Sequence, residues 1–326
     1  MKRNSHAGYG LLMLFGALIW GLAFAFQSIG MESTGPFTFT GTRFFLAAAV
    51  VFIFSIITDS RKRKTVSGSG EGADPDAGSA ESPLGYSWKS PLLWKAGIIT
   101  GILLTIATNL QQIGIIYTDS VGKAGFITAL YIVIVPVLGI FLKKKINSLV
   151  WLGVILSLAG LYFLTMNGRL TFSYGDILML SCAFVFALQI MTIDKFSKKV
   201  DNIKFACIEF LTVSVISLVI MFIFEKPNIA ALMDALIPIL YTGVLSGGVA
   251  YTLQIVCQSR LDPGVASILM SCEALFSVLG GFVILGQKLT VREMIGSLLM
   301  FIAILIVQLV PQEDSAKDMQ ENLSRP

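Results

Sequence analysis

LDPGVASILMSCEALFSVLGGFVILG, residues 261–286, is apolar for longer than a soluble helix requires and carries one carboxylate, Glu273, in its middle. As a helix it places Glu273 about 15 Å beyond Pro263, at ~1.5 Å per residue. The hydrocarbon core of a bilayer is about 30 Å thick, so Glu273 falls near the midplane. An ionisable group there costs roughly 2.5–3.5 kcal/mol on insertion scales and is tolerated beside a wet cavity or a partner. The rest of the chain must supply one or the other.

The remainder of the sequence is of the same kind. It is 55% hydrophobic and 13% charged, against about 25% charged residues in soluble domains, and reads as an all-α polytopic membrane protein. Its net charge of +4 is spread between apolar segments rather than clustered on a soluble domain, which argues against nucleic acid as a partner and for a lipid bilayer. Cys182, Cys207, Cys257 and Cys272 fall in or beside apolar segments and read as small packing residues. The single histidine, His6, lies in a polar tail, so neither a metal site nor a cofactor is expected.

Ten spans are predicted. A cytoplasmic tail (1–9) precedes spans at 10–29 and 36–58. Residues 59–91, with RKRK at 61–64 and then SGSGEGADPDAGSAESP, read as a disordered cytoplasmic loop. Further spans follow at 92–117, 121–142, 148–166, 174–193, 203–224, 235–256, 263–285 and 291–310, with a cytoplasmic tail at 311–326. With the N-terminus inside, 18 of the 24 Lys and Arg residues fall on the cytoplasmic side, 5 outside, and Arg43 lies within a span. Both termini are therefore expected in the cytoplasm, with the protein multi-pass in the plasma membrane.

The fourth and ninth spans run in opposite directions, yet their sequences overlay. At an offset of 142, Gly101 meets Gly243, Gln112 meets Gln254, Ala124 meets Ala266, Gly139 meets Gly281 and Tyr131 meets Glu273; at 162, Phe24 meets Phe186 and Gln27 meets Gln189; at 166, Arg43 meets Glu209. The ordered matches predict two inverted five-helix repeats, at 10–58 with 92–166 and at 174–310, a build typical of secondary transporters.

At these residues the chain resembles the drug/metabolite transporter superfamily, and within it the EamA-type ten-helix carriers. The resemblance covers both halves. It rests on LIWGLAFAFQ (18–27), Pro36 with Arg43, SVGKAGFITALYIVIVPVLG (120–139) and VASILMSCEALFSVLGGFVILGQKLT (265–290). It implies a five-plus-five inverted repeat, alternating access, and movement of small metabolites, often outward. Two departures stand out. Cys272-Glu273-Ala274 lacks the family's usual proline after the glutamate, which predicts a straighter ninth helix. Gly286-Gln287 replaces a common Gly-Glu.

The candidate substrate-binding residues are the polar or aromatic groups inside the spans: Glu273, Arg43, Lys123, Tyr131, Gln27, Gln189 and Trp20. Glu273 could bind a cationic group, carry a coupling proton, or partner a buried Arg or hydroxyl. Arg43 cannot shed its charge and could clamp a carboxylate, snorkel to headgroups or form an ion pair. Lys123 opens the fourth span; it is an interfacial lysine or, as the resemblance implies, a cavity residue. Tyr131 could offer its hydroxyl to a cavity or simply pack. Gln27 and Gln189 are as suited to interhelical hydrogen bonds as to a substrate, and Trp20 to a cavity wall or the core. Glu209 reads as a cytoplasmic-side gate or as an ion-pair partner of Lys204 or of a loop lysine.

The leading functional expectation is a secondary transporter, not an enzyme, that exports a small polar metabolite such as an amino acid by alternating access, with protons as a candidate coupling ion. No P-loop GxxxxGK[ST] is present to couple transport to ATP. The alternative is an integral membrane enzyme acting on a lipid-linked or small substrate. It would need clustered acid, base or metal-binding groups, and no intramembrane histidine, paired carboxylates or HExxH occur.

Overall fold

A computed structural model gives the fold. It describes residues 2–68, 87–117, 121–142, 146–165, 173–285 and 290–308. Among these there is no strand. Eight stretches are long and apolar enough to cross a membrane; Ser148–Phe163 and Met294–Ile306 are apolar but shorter. Of the ten expected spans, the fifth and tenth therefore fall below full spanning length among the described residues. Phe52, Ile53, Phe54, Phe222 and Ile223 are exposed on the outside of the bundle, where only lipid tails would satisfy so much apolar surface.

Helix α1 (Lys2–Gly30) begins within the expected N-terminal tail. Helix α2 (Pro36–Gly68) runs through RKRK and ends at the first glycine after it, so part of the expected loop is helical. Lys and Arg are good helix formers, and basic character alone does not stop a helix. The Gly/Ser/Pro-rich part of that loop (69–86) and the C-terminal tail lie outside the described residues. Helix α3 (Pro91–Ile116) starts on Pro91, with the Ser90 hydroxyl accepting from the Leu93 N–H, the pairing of cap and first-turn proline that starts helices well.

The fourth and ninth crossings are both broken. The fourth is α4 (Val121–Ala129) then α5 (Tyr131–Phe141), hinged at Leu130. The ninth is α12 (Pro263–Met270) then α13 (Cys272–Leu285), hinged at Ser271. The ninth helix is thus not straightened by its missing proline. The Ser267 and Ser271 hydroxyls donate to carbonyls three residues back, at 2.8 Å each, and such back-bonding bends helices. At 78%, the Pro263–Gly280 stretch is the most enclosed of the eight, against 44% for the α2 and α8 stretches, so the ninth crossing is central.

The fifth crossing is α6 (Ser148–Thr165), the sixth α7 (Tyr174–Ser197) and the seventh α8 (Asn202–Phe224). A short surface helix, α9 (Ile229–Asp234), was not anticipated. The eighth crossing combines α10 (Leu236–Leu240), a π-helical segment Tyr241–Tyr251 containing Gly243, Gly247 and Gly248, and α11 (Thr252–Gln258). Helix α14 (Val291–Gln308) is the last.

Helices α2 and α8 pack extensively and antiparallel, as do α6 and α14; α3 packs on α7 and α8, and α1 on α13 and the π-helical segment. The α2–α8 pair is tied at both ends. At one, the Glu225 carboxylate accepts from the N–H groups of Phe37 (2.9 Å) and Thr38 (2.8 Å), capping α2. At the other, Lys204 pairs with Asp59 at 3.0 Å. Glycines set the closest approaches. A Cβ on Gly101 would lie 2.9 Å from the Glu209 carbonyl, and one on Gly243 would lie 2.9 Å from the Arg43 carbonyl.

Candidate functional site

The broken helices bring Tyr131 and Glu273 together. Tyr131 opens α5 and Glu273 lies in the first turn of α13. The Tyr131 hydroxyl donates to Glu273 Oε1 at 2.9 Å across 142 residues of sequence. That separation equals the offset at which the two halves overlay. A residue and its repeat counterpart can touch only near the axis relating two halves. Phe44 and Phe210, matched at an offset of 166, also touch, with ring centroids 5.9 Å apart.

Beside this pair lies a small cavity lined by Glu273, Tyr131, Arg43, Gln27, Gln111 and Trp20, with Phe24, Phe186, Ser246, Tyr251 and Met270 completing its walls. It leaves about 20 Å³ for the centres of water-sized spheres, roughly enough for one water. Five expected site residues, Glu273, Arg43, Tyr131, Gln27 and Trp20, therefore meet in one place. The Trp20 indole N–H donates to the Ser246 carbonyl at 3.3 Å, and its ring lies 4.8 Å from that of Tyr251, which fixes one wall.

Arg43 is buried, and its Nε and Nη2 have no hydrogen-bond partner. The rings of Phe44 and Phe39 lie 5.1 and 5.6 Å from its guanidinium carbon, within cation–π range. No ion pair joins Arg43 to Glu273 among the described residues, so neither charge is neutralised by the other. Gln27 Oε1 is likewise buried and unpartnered. The site thus presents a permanent cation with free donors facing a carboxylate across aromatic walls.

Gln189 does not line this cavity. Its Nε2 donates to Glu209 Oε1 at 2.9 Å, and Gln254 Nε2 donates to Gln189 Oε1 at 3.2 Å and to Gln258 Oε1 at 3.3 Å. Gln258 Nε2 in turn donates to the Ile190 carbonyl at 3.4 Å. These residues of α7, α8 and α11 form a closed chain of side-chain amides around one carboxylate. Glu209 does not pair with Lys204, which turns to Asp59. Five residues apart, the two point about 140° away from each other around the helix. The side chain of Lys123 lies outside the described residues. The four cysteines are free and buried.

Gln111, Tyr251, Ser246 and Met270 were missed in the sequence. Gln111 was readable as an intramembrane amide beside Gln112. Tyr251 is one of two tyrosines in the eighth crossing, and nothing in the sequence reveals the π-helical turn that aims it.

Comparison with known proteins agrees with this picture. A crystal structure at 16% identity superposes with a TM-score of 0.70, covering 98% of this chain and 99% of that one, which shows the fold alone. An uncharacterized transporter of Archaeoglobus fulgidus is 27% identical over 313 residues, 94% of this chain and 87% of that one. The uncharacterized transporter YoaV of Bacillus subtilis is 24% identical over 293 residues, 86% of this chain and 90% of that one. The sequence pattern of the EamA-like transporter family matches residues 8–166 and again residues 173–309. A multi-pass membrane protein whose two halves each match that pattern, the chain belongs to the EamA-like transporter family.

Proposed function

We propose that this protein is a secondary transporter that exports a small zwitterionic metabolite such as an amino acid by alternating access, built as ten crossings in two inverted five-helix halves with both termini in the cytoplasm. The observation that carries the reading is the Tyr131–Glu273 hydrogen bond between repeat-matched residues, beside a cavity that Arg43 also lines. A site on the axis between two inverted halves is where alternating access holds its substrate. The matched helix breaks at Leu130 and Ser271 and the equal approaches at Gly101 and Gly243 support the inverted repeat.

The polar groups support the substrate class. The Arg43 guanidinium has free donors for a carboxylate, and Glu273 keeps an oxygen not taken by Tyr131 for an ammonium group. Trp20, Phe24 and Tyr251 would cover the apolar remainder. The cavity holds little more than a water, so binding must accompany opening of one end. A thermal-shift screen tests this with an α-amino acid, the amine lacking its carboxylate and the acid lacking its amine. The amino acid should raise the melting temperature most, since a ligand stabilises the state it binds, by about 2.7 kcal/mol at 100 times its Kd. Equal shifts from all three compounds would contradict the zwitterion reading, and no transport of any of them by proteoliposomes would contradict the carrier reading.

A further inference from the structure

The amide chain around Glu209 leaves over acceptors, where the cavity leaves over the Arg43 donors beside one acceptor, Gln27 Oε1. Gln189 spends its Nε2 on Glu209, and Gln254 shares its Nε2 between two acceptors. What is left over is acceptors: Glu209 Oε2 and Gln254 Oε1 are buried with no partner. In the cavity the leftover groups include two guanidinium nitrogens of Arg43. Full burial of an acceptor without a donor costs free energy, and each such group in a native structure calls for an explanation.

The two places correspond position by position. Arg43 matches Glu209, Gln27 matches Gln189, and Gln112 matches Gln254. The backbone treats them alike, because Gly101 closes on the Glu209 carbonyl as Gly243 closes on the Arg43 carbonyl, at 2.9 Å for an added Cβ in both cases. Phe44 and Phe210, the next residues after the two charges, both contact the ring of Tyr251, at 5.8 and 6.2 Å. Tyr251 therefore stands where the two places meet. Glu209 forms no ion pair among the described residues. Helix α7 offers it Gln189, α11 offers Gln254 at one remove, and α3 offers only glycine at the contact.

We infer that Glu209, with Gln189 and Gln254, is a second half-site, adjoining the Arg43 cavity but opened from the opposite side of the membrane, that takes a cationic group: the ammonium group of the transported metabolite or a coupling metal cation. This rests on the alternating-access reading. In the state seen here the half-site is shut and its amides satisfy one another. When the halves rock, the chain from Gln254 to Glu209 parts, and two unpartnered acceptors face the widened cavity. The carrier then shows a cation to its substrate on one side of the membrane and a carboxylate on the other.

The test uses the full chain in proteoliposomes with its four cysteines replaced by serine and a single Gln189→Cys or Gln27→Cys. Each is reacted with a cationic (trimethylammonium-ethyl) and an anionic (sulfonato-ethyl) methanethiosulfonate, applied from each side. Cys at 189 should react from the side opposite to Cys at 27. It should favour the cationic reagent by about tenfold, the size expected for one nearby charge at intermediate dielectric. Glu209→Gln should erase that preference and Glu209→Asp retain it, while labelling at 27 in the same background reports that the protein is folded. Protection of 189 by ethylammonium would identify a substrate amine, and protection by sodium a coupling ion; either supports the half-site. Equal rates with both reagents, or a preference unmoved by Glu209→Gln, would overturn it while leaving the transporter reading intact. Reaction of both positions from one side only would overturn the two together.

Discussion

Two polar clusters in this bundle occupy matched positions and behave oppositely. Around Arg43, the groups of α1, α2 and α3 surround a cavity and leave donors unused. Around Glu209, the groups of α7, α8 and α11 bond to one another and leave acceptors unused. The two share one backbone feature, the glycine that lets a neighbouring helix reach the charged residue's carbonyl. The difference therefore lies in side-chain pairing, the part of a membrane bundle that can change without unfolding it. The Arg43 guanidinium keeps unpartnered nitrogens, while the Glu209 carboxylate accepts from a glutamine amide.

The Tyr131–Glu273 bond lines the Arg43 cavity, and its loss should have the largest effect. Glu273→Gln should lower transport by about 100-fold or more with insertion intact, because it removes the only carboxylate among the described residues that line the cavity, roughly 3 kcal/mol of lost charge-assisted contact. Initial uptake rates in proteoliposomes check this; a rate near that of the unaltered protein would mean that the carboxylate is structural. Tyr131→Phe, which keeps the ring and removes the hydroxyl, should cost much less.

Next come the charges themselves, for which the comparison predicts opposite signs in stability. Glu209→Leu strands the Gln189 amide and should destabilise by about 1–3 kcal/mol. Arg43→Met removes donors that have no partner and should leave the melting temperature unchanged or raise it, since isosteric removal of an uncompensated buried charge is often neutral or stabilising. Transport should suffer in both. Parallel melting curves in detergent decide it, and equal destabilisation would mean that Arg43 is as well satisfied as Glu209.

The glycines sharpen the comparison from the side of similarity. Gly101→Ala and Gly243→Ala should each destabilise by about 1–3 kcal/mol, through overpacking at a helix contact. Similar losses are expected because the same carbonyl approach is disturbed; a large loss at only one would show that the halves pack differently. Smallest are the end ties. Glu225→Gln weakens a cap on two backbone N–H groups and should cost about 1 kcal/mol. Asp59→Asn removes a partly exposed ion pair and should cost less than about 1 kcal/mol.

The all-helical, multi-pass build was legible in the sequence, because apolar length follows from the bilayer rather than from fine packing. The pairing of Tyr131 with Glu273 was legible too, through the offset that matched them. What escaped notice was conformational. The break at Ser271 comes from serine back-bonds rather than from a proline, and the π-helical stretch that brings Tyr251 and Ser246 to the cavity has no sequence signal beyond its glycines. Gln27 and Gln189 look identical in sequence, and only their neighbours place one on the cavity and the other in the amide chain. Lys204 was paired with Glu209 by proximity in sequence, but helix geometry sends it to Asp59.

The central claim is that the Glu209 cluster must part for transport to occur. Joining positions 189 and 254, whose side chains hydrogen-bond at 3.2 Å, tests it directly. In the full chain with native cysteines replaced by serine, Gln189→Cys and Gln254→Cys are bridged by a short, reducible bifunctional thiol reagent. The account predicts that bridging stops transport, that reduction restores it, and that substrate still raises the melting temperature of the bridged protein through the Arg43 cavity. Transport at an undiminished rate with the bridge intact would contradict it.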